Sequence, residues 1–139
     1  MQNMNGSNRA GRCKQRTAVL AWAVAAFLPL QALASPLSLQ CGGIGKLESD
    51  AMLAEQERHA LTLLFTTAGG HYVSGVDTKV GDPLEDVGAH EVSCGPVAHV
   101  DVAEAGRYRV HATLDGVSLE EWVELEPQGG ARLVLSWPD

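Results

Sequence analysis

The feature that most constrains this chain is a change of period. From Ala60 onward apolar residues recur at every second position, and turn residues interrupt them every eight to twelve positions. Side chains of a strand alternate between two faces, so the pattern predicts short half-buried strands at the spacing of an antiparallel sandwich. Leu61, Leu63 and Phe65 alternate with Thr62, Leu64 and Thr66 before Gly69-Gly70 turns the chain. Val76, Thr78 and Val80 follow, closed by Gly81-Asp82-Pro83, and then Val92 and Cys94 precede a Gly95-Pro96 break. Ala98, Val100 and Val102 point one way, His99 and Asp101 the other. Tyr108, Val110, Ala112 and Leu114 are expected inside, with Arg107, Arg109, His111 and Thr113 in water. Asp115-Gly116 turns the chain into the strand of Val123 and Leu125. Gln128-Gly129-Gly130 reads as a hairpin turn, and Leu133, Leu135 and Trp137 close the domain. The expectation is a mainly β fold, an antiparallel β-sandwich of about seven strands over residues 60–139.

Residues 35–59 read differently. Ser35 to Gln40 is a short lead-in, and Cys41-Gly42-Gly43-Ile44-Gly45 is a glycine-rich turn. Lys46 to His59 then contains strong helix formers and no Gly or Pro, with Glu48 and Asp50 in the first turn and Arg58 and His59 in the last. That charge order complements a helix dipole, so one short helix is expected, with Leu47, Ala51 and Ala54 on one stripe.

The first 34 residues carry an address. Arg9, Arg12, Lys14 and Arg16 precede an uncharged apolar run, Ala18 to Leu30, too short to span a bilayer comfortably with about 20 residues. Ala32-Leu33-Ala34 is a small-x-small cleavage site, so residues 1–34 are expected to be a signal peptide of the general export route; a retained anchor is the competing reading. The residues before Cys41, Leu39 and Gln40, do not fit a lipid-attachment site. Cleavage leaves a single mature domain, residues 35–139, in the periplasm or outside the cell. It keeps six basic and all seventeen acidic side chains, so the full chain's formal charge of −7 becomes eleven net negative charges. Nucleic acid is thereby excluded as a partner, and a membrane is met only during export. About a hundred residues bury one core and leave no room for a second domain.

Cys13 departs with the leader, and Cys41 and Cys94 remain in a compartment where disulfides persist. Their spacing is not that of a Cys-x-x-Cys redox or metal pair. A structural disulfide is expected, stabilising the fold by about 4 kcal/mol on the chain-entropy model.

Glu104-Ala105-Gly106-Arg107-Tyr108-Arg109-Val110-His111-Ala112, followed by Asp115-Gly116 and a last strand after Gly129-Gly130, resembles carboxypeptidase regulatory-like domains. These are transthyretin-like β-sandwiches in which a glycine turn, a basic residue and Tyr open an alternating strand. With GGIGKLESDAM at 42–52, LTLLF at 61–65 and the stretch from Tyr72 to Val76, the resemblance narrows to small exported proteobacterial proteins built on that domain, and spans residues 42–137. It implies a fold and no catalytic residue, because the zinc peptidase of the family's name is a separate domain.

Candidate chemistry is sparse. Gly42-Gly43-Ile44-Gly45-Lys46 lacks the Ser or Thr and the spacing of a phosphate loop, and Ser74 lacks the glycine before a nucleophile elbow. Among five histidines, His99 and His111 are expected on the solvent side of their strands; if those strands pair in register, these two, with His90, and with Asp101 or Glu91, are the candidates for a metal site. Alternation places Glu120, Trp122, Glu124 and Glu126 opposite Val123 and Leu125. Trp122 then either covers a sheet edge or the helix, or stands exposed as a candidate partner-binding residue. The reading is a non-catalytic exported module without a cofactor, binding a protein or envelope component; the alternative is a periplasmic metal-binding protein using surface histidines.

Overall fold

The computed structural model describes residues 36–139, so the expected signal peptide lies outside the described residues. The elements are β1 (Leu37–Gly42), α1 (Lys46–Ala54), a 3₁₀ turn (Gln56–Arg58), β2 (Leu61–Thr67), β3 (Val76–Asp82), β4 (Val87–Cys94), β5 (Val97–Val102), β6 (Gly106–Leu114), β7 (Val117–Leu125) and β8 (Ala131–Trp137). Two four-stranded sheets result, in the orders β1-β5-β2-β8 and β4-β3-β6-β7. The fold is mainly β and sandwich-like, with inward residues of both sheets sharing one core: Leu61, Leu63, Phe65 and Val100 from the first, Val80, Val110, Ala112 and Leu125 from the second.

The described residues form eight strands where about seven were expected. The lead-in is itself β1, paired antiparallel with β5 from Leu37↔Val102 to Gly42↔Val97. Leu37 is buried and Leu39 and Cys41 pack against the core, a period-2 pattern too short to stand out beside the glycines that follow it. The pairing is also not wholly antiparallel. β2 and β8 run parallel, Leu61↔Ala131 to Thr67↔Trp137. Gln128 to Gly130 therefore makes no hairpin; it carries the chain from the end of β7 in one sheet to the start of β8 in the other.

The helical segment departs from its expected form in two ways. It breaks at Glu55, after which the 3₁₀ turn docks through Gln56, whose side-chain amide donates to the Gly130 carbonyl at 3.1 Å. Its inward face is Ser49, which is buried, with the partly buried Met52 and Leu53, while Leu47 is 88% exposed. Rotation is set at the helix start. Gly43 and Gly45 hold φ of 87° and 90°, and the Glu48 carboxylate folds back to accept from the Gly43 and Ile44 amides at 2.8 and 3.3 Å. Those bonds turn Leu47 outward, and they fill the amides that a phosphate loop would present.

The sheets are joined along both flanks. Cys41 on β1 is disulfide-bonded to Cys94 on β4, as expected, tying an edge strand of one sheet to an edge strand of the other. On the opposite flank the Trp137 indole of β8 donates to the Val117 carbonyl of β7 at 2.9 Å. Glu91 and Glu121 occupy inward positions on the edge strands β4 and β7 yet remain exposed, charges that blunt edge-to-edge association. At the start of β6 the Tyr108 hydroxyl donates to the Glu104 carbonyl at 2.8 Å, fixing the turn that sequence had singled out, and burial raises its pKa. Among the described residues no helix is long and apolar enough to cross a membrane.

Candidate functional site

The histidines separate. His99 lies on β5 and His111 on β6, in different sheets, so the expected cross-strand pair does not form. Nor is His99 on a solvent face. α1 covers the outer side of its sheet, leaving His99 2% exposed, with its Nε2–H donating to the Met52 carbonyl at 2.8 Å. Its ring stacks on that of His59, whose Nδ1 lies 3.0 and 2.9 Å from the two carboxylate oxygens of Asp101. Burial lowers the His99 pKa from its ordinary 6.5, and His59 beside it adds to that shift. His90 meets Asp77 at 2.7 Å on the outer face of the other sheet, and Glu91 stands on β4, in the sheet opposite His99. Among the described residues no three His, Cys, Asp or Glu side chains lie together as a metal site would need.

Of the alternatives open for Trp122, the structure shows an exposed position on the edge strand β7. It does not touch the helix, which lies across the other sheet, and its outward side chain on β7 is 44% exposed. Arg109 of β6 is its direct cross-strand neighbour, and Arg107 is the next outward residue along β6. Their guanidinium carbons sit 5.8 and 4.8 Å from the indole centroid. Each such cation–π contact is worth about 0.5–1 kcal/mol at an exposed site, so the indole and both guanidinium groups are ordered by one another.

Register extends this cluster across the whole outer face. One row runs His90, Lys79, His111, Glu120 over β4, β3, β6 and β7, and the adjacent row runs Gly88, Gly81, Arg109, Trp122. Lys79, Gly81, Gly88, Arg107 and Arg109 were not among the candidates read from sequence. Alternation places Lys79 and Arg109 outward, but only the pairing of β3 with β4 and β6 brings them around the same two glycines. A concavity of about 540 Å³ opens there, lined by Lys79, Arg109 and His111 and by Asp82, Asp86 and Glu120. Compared with models of known protein families the chain matches none, and it matches no curated protein.

Proposed function

We propose that the mature chain is a non-catalytic, exported binding module of the carboxypeptidase regulatory-like type, a transthyretin-like sandwich working in the periplasm or outside the cell. Its binding face is the outer side of β4-β3-β6-β7, and its partner is a component of the cell envelope. The observation that carries the reading is Trp122, half exposed and flanked by Arg107 and Arg109. Trp and Arg are the side chains that most often dominate binding energy, and ordering them before contact removes part of the entropy lost on association. The disulfide and the acidic surface fit an oxidising, extracytoplasmic setting.

The test compares retention of immobilised mature domain on envelope extracts for wild type, Trp122→Ala and Val134→Ala. Val134 is a similarly exposed apolar residue on β8, in the other sheet. Retention by wild type and Val134→Ala but not Trp122→Ala is the expected outcome. Equal retention of all three would remove this face from consideration.

A further inference from the structure

The outer face lacks side chains at one place. Gly88 of β4 and Gly81 of β3 stand side by side, so the row that ends in Arg109 and Trp122 begins as bare backbone. Successive outward positions along a strand are about 7 Å apart. The two glycines therefore leave a floor walled by Lys79 and His111 from the neighbouring row and by Arg109 from their own. The close pairing of β3 and β4 requires glycine here: a Cβ on Gly81 would stand 2.6 Å from the Val87 carbonyl oxygen.

The charge around this floor is unlike that of the rest of the domain. Residues 36–139 contain seventeen acidic and six basic side chains, and three of the six, Lys79, Arg107 and Arg109, lie on this face. Lys46 and Arg58 are held by Asp50 and Glu55 within their own helical segment. Lys79 has no ion pair among the described residues, and Arg109 has only a long one, 3.9 Å to Glu120. An ammonium without a carboxylate, in a domain where carboxylates outnumber bases almost three to one, is complementary to an anion from outside. Three carboxylates nevertheless line the same depression: Asp82, Asp86 and Glu120. They oppose a dianion such as phosphate and accept hydrogen bonds from hydroxyl groups.

We propose that the glycine-floored depression is a subsite for an acidic saccharide, holding the carboxylate of a uronate ring between Lys79 and Arg109 while ring hydroxyls meet the lining carboxylates. The proposal rests on the reading of this face as the binding face and names its ligand class.

The probe is a galacturonate oligosaccharide titrated into the ¹⁵N-labelled mature domain, with its neutral methyl ester and a sugar phosphate as comparisons. The amides of Gly81, Gly88 and Arg109 are expected to shift and saturate with the uronate and not with the ester. Lys79→Gln should weaken binding about tenfold or more, the loss of one charge-assisted hydrogen bond, while Arg132→Gln on the other sheet leaves it unchanged. No shift at the glycines, an equal response to the ester, a stronger response to the phosphate, or indifference to Lys79→Gln would each overturn the assignment. If the shifts are absent while Trp122→Ala still abolishes envelope retention, the saccharide is wrong and the binding face stands. If both are absent, both fall.

Discussion

His99 and His59 lie ring on ring, 3.8 Å between centroids and 13° from parallel, where β5 meets its helical cover. His99 gives its Nε2 proton to the last turn of α1, and His59 turns its Nδ1 to Asp101. The pair therefore joins sheet and helix, and a proton added to His99 enters a buried site beside another imidazole.

That arrangement fixes a pH dependence. Because burial lowers the folded-state pKa of His99 below 6.5, the unfolded chain binds a proton that the folded chain refuses. The hydrogen bond to the Met52 carbonyl, and then Glu55 and Asp101, pull in the other direction but do not reverse the shift. Stability is full well above pH 6.5 and is lost as pH falls through 6.5 towards the lowered value. Urea unfolding at about pH 7.5 and about pH 5.5 should show this fall in wild type and a smaller one in His99→Gln. Parallel slopes for the two proteins would contradict it.

The disulfide joins edge strands of opposite sheets across a sequence separation of 53. Replacing both cysteines with serine is expected to lower the unfolding free energy by about 4 kcal/mol. Chemical denaturation measures it, and a loss below about 1 kcal/mol would show that the remaining inter-sheet contacts suffice.

Two glycines separate backbone strain from steric contact. Gly43 and Gly45 both have φ near 90°, but a Cβ on Gly43 would stand 2.8 Å from Val97 Cγ2, whereas one on Gly45 meets nothing within 4 Å. Gly45→Ala should destabilise by about 1 kcal/mol through backbone strain, and Gly43→Ala by more because the buried Val97 must also move. Equal effects on thermal unfolding would argue against a tight β1–β5 approach to the helix start.

On the opposite flank, Trp137→Phe keeps an aromatic ring against Phe65, 5.9 Å away between centroids, and removes the bond to the Val117 carbonyl. A loss of about 1–2 kcal/mol is expected, with faster amide exchange at the β7 edge.

What the sequence disclosed follows from which forces are local. Tyr108, Val110 and Ala112 are buried as their alternation requires, and Asp115-Gly116 turns between β6 and β7 with φ of 50° and 81°. Turn chemistry and two-sided strands are written in neighbouring residues. Long-range choices are not. Nothing near Gln128 says that the next strand joins β2 in parallel, and nothing near His99 says that α1 will cover it. The outward stripe at Leu47 depends on Glu48 reaching back to Gly43, a rotation that helical periodicity alone cannot choose. The site divides in the same way. Trp122 was visible as an outward aromatic on β7, but Lys79, Gly81 and Gly88 lie some forty residues earlier and reach it only through the register of three strand pairings.

On the proposed reading the outer face of β4-β3-β6-β7, and not the helix-covered sheet, meets the partner. Site-specific photocrosslinking tests it most directly, with a photoreactive residue at Ser118 on β7 in one protein and at Arg132 on β8 in the other, each expressed in the envelope as the full chain. A discrete adduct from Ser118, lost when Trp122→Ala is added and absent from Arg132, is the expected result. Adducts of equal yield from both positions, or from Arg132 alone, would contradict the account.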